Sequence, residues 1–573
     1  MKKIYTIATL LMLFLSVNLF AQDVLVVDPG VGTLNDAIET HGADKIYQLQ
    51  AGQFYQIDGV IENAGYHLQI IGEEATGDGM PATLQSGQTP DGAAFGTMFD
   101  AKGDLTLKNI YIMNVDLTGQ MGGVFITQTA DESRTVVDNC IIDPVALVGN
   151  VFNGASQKIY WTNNLCIRHG HQLNPNDGHF FITHGVERVG LDTMLVENNT
   201  FVSMGTNMWE GGFNAHVHNF VWWNHNTFVN TKSQIDWSIF ENEYFWTNNL
   251  MFNQNTQPWA VPWGAMPGHD AGYLLPSLIY ADTLTDETLP SERIQFVQYN
   301  AHYRNQGFYD LVEEINNLED NNTINDVYLM PLVWPVDSSG SREAELFAND
   351  ETFPNWKTGN YILDVDPQFV DQEIYTTADA FVEWTRPATY VHALGFASDG
   401  QLPEGTPIPP ANQWPQWHWD PDGDPAINSA WPVFDGTYTN AELLTGSIEG
   451  LPLGDLNWFP ADKAVWGQNK ETIMDHMMAL NTDQLTLERS VTNIEFNSLN
   501  VYPNPTKDYL RISSENAIGL VRIYSIAGVL QFEDDLKNSI SHSLNTKDLS
   551  SGLYIIKAES SNGKTYVNKF IKK

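Results

Sequence analysis

The side chains best suited to acid–base chemistry are cations and imidazoles in the first half of the chain. The group is Arg168, His169, His171, His179, His184 and Lys232. A cation beside a bound carboxylate acidifies a neighbouring C–H group, and an Arg, Lys or His side chain can remove the proton. These residue types are suited to acid–base catalysis, and Arg168, His169, His171 and Lys232 are the candidate catalytic residues. The alternative is that the cations only offset neighbouring acids.

Acidic side chains form a second candidate set. Its members are Asp143, Glu197, Glu210, Asp236 and Glu241. Inverting glycosidases use two carboxyl groups about 6.5–9.5 Å apart, so hydrolysis is a possible chemistry for a suitable pair. The same acids could hold Ca²⁺, which takes several oxygen ligands. We place Glu210 among the candidate catalytic residues.

The run Asp420-Pro-Asp422-Gly-Asp424 spaces three carboxylates in the manner of a cation-binding loop. Ca²⁺ is the cofactor that such oxygen ligands would take. The remainder of an EF-hand loop does not follow, so an acidic turn is the alternative. Asp420, Asp422 and Asp424 are nevertheless the predicted metal ligands.

Aromatic side chains are the third candidate group. Trp161, Trp223 and Trp246 each precede a repeated Asn by three residues, and Trp417 belongs to a cluster rich in Pro and Trp. Flat indole faces bind sugar rings well when exposed. We therefore expect Trp223, Trp246, Trp417 and the neighbouring Asn230 to contact substrate, with a buried aromatic ladder as the alternative.

A repeated motif must position these residues. It consists of a short apolar run, a polar pair that ends in Asn, and a second apolar run, and its copies are 23 to 35 residues apart. It is centred on Asn109, Asn139, Asn164, Asn199, Asn226 and Asn249, with a possible further copy at Asn300. Runs of strand length with no amphipathic helix between them predict a parallel β-solenoid.

On these motifs the chain resembles the right-handed parallel β-helix superfamily, the fold of the pectate lyases. The resemblance implies an all-β solenoid in which Asn occupies a sharp turn, tolerates the left-handed conformation and hydrogen-bonds to its copy on the next coil. Polysaccharide lyases of this superfamily act by β-elimination. The resemblance therefore implies that Arg168 or a nearby His is the base and that Lys232 neutralises a uronate carboxylate. Ser203, Asn230 and Asn253 are expected in the column of Arg168.

The charge distribution limits the classes of partner that the protein is expected to bind. The formal net charge is −42, whereas residues 497–573 hold 10 basic and 7 acidic side chains, so the acidic excess lies in the rest of the chain. An acidic surface repels nucleic acid and anionic membrane, and neither is expected as a partner. The opening Lys2-Lys3, the apolar run to Phe20 and Ala21 predict a signal peptide over residues 1–21. No permanent transmembrane segment is expected after processing.

The end of the chain carries four landmarks in order. They are Val501-Tyr-Pro-Asn-Pro505, the run from Val521 to Gly528, the run from Leu549 to Tyr554, and the stretch from Gly563 to Lys573. They resemble the C-terminal sorting domain of type IX secretion cargo. The resemblance implies a small β-sandwich over residues 497–573, the type IX secretion machinery as a partner, and a secreted or cell-surface location.

The remaining boundaries follow from where the repeat begins and ends. We expect a parallel β-helix with an N-terminal cap over residues 23–305, and late coils or a packed accessory lobe over residues 306–490. The cap should include a short helix from Thr33 to Thr40. Cys140 and Cys166 should be buried and unpaired, because they are expected to face opposite sides of neighbouring strands.

These observations predict a secreted or cell-surface β-helix protein that acts on extracellular polysaccharide. The first hypothesis is a lyase that cleaves a uronate-containing glycan. The alternatives are a non-catalytic glycan-binding or adhesion protein and an inverting glycoside hydrolase. The residues alone leave open whether the protein is an enzyme.

Overall fold

The computed structural model describes most of the chain. The described residues are 23–75, 79–146, 148–169, 179–183, 190–205, 208–211, 217–231, 236–237, 241–254, 260–261, 290–317, 328–329, 346–379, 381–382, 434–481, 500–502, 506–507, 509–525, 530–547, 549–560 and 565–573. The predicted signal peptide, residues 1–21, lies outside them. Two compact units divide the chain, residues 1–481 and residues 482–573.

The first unit is built on three parallel sheets that the chain visits in turn. Sheet A comprises β1 (Asp23–Val26), β3 (Lys45–Leu49), β6 (Leu68–Gly72), β9 (Leu105–Lys108), β12 (Arg134–Asp138), β15 (Lys158–Thr162), β18 (Thr193–Glu197), β21 (His218–Asn224), β24 (Glu241–Thr247), β27 (Ile294–Gln298) and β30 (Trp356–Gly359). Sheet B comprises β2 (Gly30–Val31), β4 (Phe54–Gln56), β7 (Ala82–Gln85), β10 (Ile110–Met113), β13 (Ile141–Ile142), β16 (Leu165–His169), β19 (Thr200–Met204), β22 (Thr227–Thr231), β25 (Leu250–Gln254), β28 (Ala301–Tyr303) and β31 (Ile362–Leu363). Sheet C comprises β5 (Ile61–Asn63), β8 (Thr97–Ala101), β11 (Val124–Gln128), β14 (Val148–Phe152), β17 (Phe181–Ile182), β20 (Trp209–Glu210) and β23 (Asp236–Trp237). β26 (Ala260–Val261) and β29 (Tyr328–Leu329) form a separate antiparallel pair. The predicted parallel β-helix is confirmed.

The core of the β-helix consists of the side chains that point inward from all three sheets. Successive residues of a strand face opposite sides, so one residue in two enters the interior. In sheet A, Val196 pairs with Trp223 and Trp223 with Trp246, and all three are buried in the interior. Stacking the coils therefore builds one continuous apolar column.

Two adjacent columns of residues turn the chain from sheet A to sheet B. In the first column, Asn163, Asn198, His225 and Asn248 adopt φ angles between 52° and 61°, which is the left-handed region. The next residue of each turn forms the second column, a hydrogen-bonded ladder. Its rungs run from Asn164 to Asn199, Asn226, Asn249 and Asn300, and each amide nitrogen lies 3.0 or 3.1 Å from the next amide oxygen. The left-handed turn and the ladder, expected of one Asn, are thus divided between two residues.

The early copies of the motif differ from the predicted alignment by one residue. Asp138 pairs with Thr162, so Asn139 aligns with Asn163 and Cys140 aligns with Asn164. Asn139, with φ 54°, belongs to the left-handed column. The main-chain N–H of Cys140 donates to Oδ1 of Asn164 at 2.9 Å, which ends the ladder. Asn occurs in both columns, so the spacing of Asn residues in the sequence could not show which column a given Asn joins.

The first coil is closed by a helix, Thr33–His41, whose Leu34 and Ile38 are buried against the interior core. Its position matches the predicted cap. A second helix, Gln306–Asn316, follows β28.

The outer faces of the later coils of sheets A and B are covered by a lobe, which we define as residues 365–379, 381–382 and 434–481. Over sheet B, Phe369 packs on Phe252 with ring centroids 5.3 Å apart. Over sheet A, Trp466 of the helix Pro460–Asn481 packs on Trp222 at 6.1 Å. The segment after residue 305 thus contains both late coils, to Leu363, and a packed lobe.

The two cysteines are buried and free. The reason expected for the absence of a disulfide was wrong, because both side chains belong to the interior cluster rather than to opposite sides of a strand. Burial raises the pKa of the Cys140 thiol to about 12. Neither cysteine is suited to act as a nucleophile.

The second unit is an antiparallel sheet with its own apolar core. Its strands are β32 (Asn500–Tyr502), β33 (Tyr509–Ser525), β34 (Leu530–Asn545), β35 (Gly552–Ser560) and β36 (Thr565–Lys572). β33 pairs with β34 along its length, with a register shift between Ser513 and Ile518. On its other edge, the first half of β33 pairs with β32 and the second half with β35. The all-β character predicted for this segment is confirmed.

Candidate active site

A second column of left-handed residues lies near the end of four sheet B strands. Arg168, Ser203, Asn230 and Asn253 have φ angles of 56°, 58°, 58° and 57°. The preceding residues pair in register from β16 to β25, so these four positions stack along the β-helix. The sequence predicted this column. Asn suits it because its short polar side chain tolerates the left-handed region, whereas an Arg there is unusual.

Arg168 is fixed by an acid from the preceding coil. Its Nε lies 2.6 Å from Oδ1 of Asp143, and the two side chains are 13% and 6% exposed. The main-chain N–H of Val145 also donates to the carbonyl of Arg168 at 2.9 Å. Within the described residues, the terminal nitrogens of Arg168 make no hydrogen bond. A guanidinium that is held through Nε keeps its terminal pair for a second carboxylate.

A second acid–base pair links two neighbouring coils at sheet C. Nε2 of His179, which lies just before β17, is 2.7 Å from Oε2 of Glu210 in β20, and the side chains are 5% and 6% exposed. A carboxylate bonded to an imidazole orients the ring and stabilises the imidazolium that forms when the ring takes a proton. The pair is thus equipped for proton transfer.

His169 brings the two pairs close together. It follows Arg168 directly, forms a bridge with Ala146, and packs its ring 5.4 Å from that of Phe180, the neighbour of His179. His169 is only 2% exposed. We therefore describe one corner, defined by Asp143, Arg168, His169, His179 and Glu210, and call it the Arg168 corner.

The rest of the predicted acidic set does not gather at this corner. Oε2 of Glu197, at the end of β18, lies 2.6 Å from Nζ of Lys470 of the lobe. Glu241, at the start of β24, is buried beside Arg293, whose Nε donates to the Glu241 carbonyl at 2.8 Å. Burial raises the pKa of the Glu241 carboxyl, and the Arg293 charge opposes that shift. Asp236 lies in β23 of sheet C. Glu197 and Glu241 thus serve contacts elsewhere on the β-helix.

The predicted aromatic contact surface is wrong for two of its members. Trp223 and Trp246 are 0% exposed, and their rings pack 5.3 Å apart inside the β-helix. They form the buried ladder that was the alternative. Asn230 is also fully buried, and its Oδ1 accepts a hydrogen bond from Asn253 at 3.0 Å. An interior side chain cannot stack on a polysaccharide outside.

Several predicted site residues lie outside the described residues. They are His171, His184, Lys232, Trp417, Asp420, Asp422 and Asp424. Among the residues that the structure describes, no group of three or more His, Cys, Asp or Glu side chains could hold a metal ion. The Ca²⁺ site therefore stays a prediction from the sequence.

Sequence reasoning missed the pairings, although it named most of the residues. Asp143 and Glu210 were assigned to an acidic set, and Arg168 and His179 to a basic one. The structure instead forms two pairs, each of one acidic and one basic residue: Asp143 with Arg168, and Glu210 with His179. The alternating acid and base along successive coils was the available signal, but it needs the register of sheets B and C to be read.

Comparison with known proteins bears first on the end of the chain. Residues 500–573 match the family described as Secretion system C-terminal sorting domain. This segment is a secretion sorting domain. It directs export through the outer membrane to the cell surface or the extracellular space. None of the helices in the described part of the chain is long and apolar enough to cross a membrane.

Two further proteins are similar to part of this chain. The ulvan lyase NLR42 of Nonlabens ulvanivorans is 34% identical over 99 residues, which are 17% of this chain and 18% of that protein. The structure of the PL6 family alginate lyase AlyGC is 15% identical, covers 49% of this chain and 40% of its own, and superposes with a TM-score of 0.32. The chain thus spans less than half of either protein.

Proposed function

We propose that this exported β-helix protein is a polysaccharide lyase that cleaves a uronate-containing glycan by β-elimination at the Arg168 corner. The curated relative is named as a lyase, which supports the reaction class. The observation that carries the proposal is the Arg168 guanidinium, held by Asp143 through Nε beside the His179–Glu210 pair. This corner combines a fixed cation with an imidazole that is oriented by a carboxylate.

Arg168 is the residue proposed to bind the substrate carboxylate. Guanidinium stays protonated in proteins, and its planar pair of terminal nitrogens matches a carboxylate in a bidentate manner. Neutralising the uronate carboxylate stabilises the negative charge that develops when the adjacent C5 proton leaves. Arg168 therefore acts as an electrostatic catalyst, a role that the sequence had given to Lys232.

His179 is the proposed proton acceptor. As His179 takes the C5 proton, the electron pair of the C–H bond forms the C4–C5 double bond, and the C4–O glycosidic bond breaks. The departing oxygen takes a proton from solvent, and the His179 imidazolium returns the C5 proton to solvent, so the reaction consumes no net proton, oxidant or water. Glu210 stabilises the imidazolium at His179. His169, which packs against Phe180, positions the corner rather than exchanging protons.

The direct test uses the full chain and a panel of uronate polysaccharides, and follows the ultraviolet absorbance of the unsaturated product. Arg168→Asn removes the cation and keeps a residue type that already occupies this column at Asn230 and Asn253. We expect kcat to fall by about 10²- to 10³-fold, the usual loss when one stabilising donor is removed. Ser203→Asn, in the same column, is the matched control and should retain activity.

Two outcomes would redirect the proposal. Full activity in Arg168→Asn would place the chemistry elsewhere. The absence of unsaturated product on every substrate, combined with retardation of the protein by glycan in an affinity gel, would indicate the non-catalytic binding protein. New reducing ends without the absorbance would indicate hydrolysis. Parallel reactions with Ca²⁺ and with a chelator test the predicted cofactor.

A further inference from the structure

A separate cavity of about 450 Å³ lies in the lobe over sheet B. It is bounded by the turn that follows the last coil, by the first residues of the next helical segment, and by the chain that returns along that turn. Its lining includes Asp366, Gln368, Val370, Gln372, Tyr375 and Thr439. No residue of the Arg168 corner contributes to it.

The walls of this cavity are joined by main-chain hydrogen bonds. Val370 N–H donates to the Thr437 carbonyl at 2.9 Å, and Thr439 N–H donates to the Gln368 carbonyl at 3.2 Å. Below it, Phe369 is fully buried and packs on Phe252 of β25. The cavity is therefore preformed, as small-molecule sites usually are.

The polar lining has unused hydrogen-bonding capacity. Oδ1 of Asp366 accepts from the Tyr375 hydroxyl at 2.5 Å and from Gln368 N–H at 2.9 Å, while Oδ2 has no partner among the described residues. Nε2 of Gln372 donates to the Phe369 carbonyl at 2.8 Å, which leaves its amide oxygen as an acceptor. The carboxylate and the amide oxygen both favour a ligand rich in donors.

An apolar surface stands beside these acceptors. Val370 is 54% exposed, although it is a β-branched aliphatic residue in an ordered turn. A ligand that covered Val370 while donating to Asp366 would need an apolar face and several hydroxyl groups on its edge. A pyranose ring has both.

We propose that this cavity binds a neutral sugar unit of a glycan, with hydroxyl groups donating to Asp366 and the C–H face of the ring on Val370. A uronate would bring its carboxylate toward Asp366. Asp364 adds negative charge nearby, because the charges of both acids add to the effect of burial in raising the pKa of the Tyr303 hydroxyl. Like charges in one site repel. The site should therefore discriminate against acidic sugars.

The cavity lies on the same sheet as the Arg168 corner but on a later coil. Phe252, beneath the cavity, pairs through Val229 and Val202 with Ile167, which precedes Arg168. Three strand spacings of about 4.8 Å separate these residues along the β-helix. The inference does not depend on the elimination reaction, because a binding site here would serve a lyase and a non-catalytic protein equally.

Ligand-observed saturation-transfer NMR on the full chain tests the proposal with D-glucose, D-xylose and D-glucuronate. Glucose and glucuronate differ only at C6, so they isolate the charge. We expect saturation transfer to both neutral sugars and binding of glucuronate weaker by about tenfold or more. Asp366→Asn keeps the acceptor for Tyr375 and should reduce the difference between glucose and glucuronate.

Val370→Asp should abolish binding of the neutral sugars. Leu117→Asp is the matched control, because Leu117 is 55% exposed in a turn elsewhere on the β-helix, and it should bind as the wild type does. Thermal melts check that each variant is folded. Absence of saturation transfer to both neutral sugars would overturn the proposal, as would equal binding of glucuronate or unchanged binding in Val370→Asp.

Arg168→Asn separates this inference from the proposed function. Neutral-sugar binding that survives Arg168→Asn and disappears in Val370→Asp supports the cavity, whether or not the wild type has lyase activity. Binding that disappears in Arg168→Asn and survives in Val370→Asp places the sugar at the Arg168 corner and overturns the cavity.

Discussion

Nε of Arg168 lies 2.6 Å from Oδ1 of Asp143, which belongs to the preceding coil. The contact fixes an arginine that stands in a left-handed column otherwise occupied by Ser and Asn. It also consumes the one guanidinium nitrogen that is not needed for bidentate binding of a second carboxylate. Asp143 is therefore a positioning residue for Arg168.

Asp143→Asn should lower kcat about 10- to 100-fold with a smaller change in KM, because a misplaced guanidinium binds the developing charge less well. The measurement is the initial rate of unsaturated product formation over a range of substrate concentration. Asp192→Asn is the control, since Asp192 forms a more exposed pair with Lys158 at 3.6 Å. An Asp143→Asn variant that melts earlier but keeps its kinetic constants would show that the pair serves stability alone.

Asn226→Ala should destabilise the β-helix by about 1–3 kcal/mol. Asn226 is fully buried, and it both donates to Asn249 and accepts from Asn199, each at 3.0 Å. Its loss leaves partners unsatisfied on two sides. Denaturant unfolding monitored by Trp fluorescence provides the measurement.

The matched control for this substitution is Asn219→Ala. Asn219 is the second residue of β21, the strand that leads to the turn containing Asn226. It is exposed, and its Oδ1 accepts from Asn242 Nδ2 at 3.2 Å at the surface. A change within about 0.5 kcal/mol is expected there. If the two substitutions destabilised the protein equally, the ladder would have no special role.

Trp223→Ala should cost about 3–5 kcal/mol, the usual range for truncating a buried aromatic residue. Trp223→Phe should cost less and leave glycan binding unchanged, because the indole faces the interior between coils. Melting temperature and affinity-gel mobility are the two measurements. A Trp223→Phe variant with native stability but no glycan binding would contradict the interior placement.

The lobe should make stability depend on pH through Asp455. Burial raises the pKa of this carboxyl to about 7, while hydrogen bonds from Asn457 and Thr200 and the charge of Lys463 oppose the shift. In the unfolded chain the group titrates near its ordinary pKa of about 4. The folded state therefore binds the proton that the unfolded state releases, and the free energy of unfolding falls as pH rises from about 4 to 7.

Asp455→Asn should weaken the pH dependence of the free energy of unfolding. The change in that free energy between about pH 4 and pH 7 should shrink by up to roughly 4 kcal/mol. Glu241, whose pKa burial also raises, contributes a slope of the same sign that the variant retains. Unfolding curves at several pH values give the difference between variant and wild type. A constant difference across the window would mean that Asp455 is ionised in the folded protein.

Features with short-range causes were predictable from the sequence. The apolar runs gave the strands, the recurrent Asn gave the turns, and Arg168, Ser203, Asn230 and Asn253 were placed in one column that the backbone angles bear out. The sorting domain was recognised from four local landmarks and matches its family. In each case neighbouring residues decide the conformation.

The tertiary structure decided everything that depends on contacts between distant segments. Trp222 and Trp223 are adjacent and both buried. Trp223 faces the interior, whereas Trp222 is covered by Trp466 of the lobe. Alternation along a strand cannot reveal that both faces are buried. The pairing of Arg168 with Asp143 likewise depends on coil register. The coil and its turns follow from local backbone preference and can be predicted from neighbouring residues, whereas packing between the coils and against the lobe selects which side chains meet.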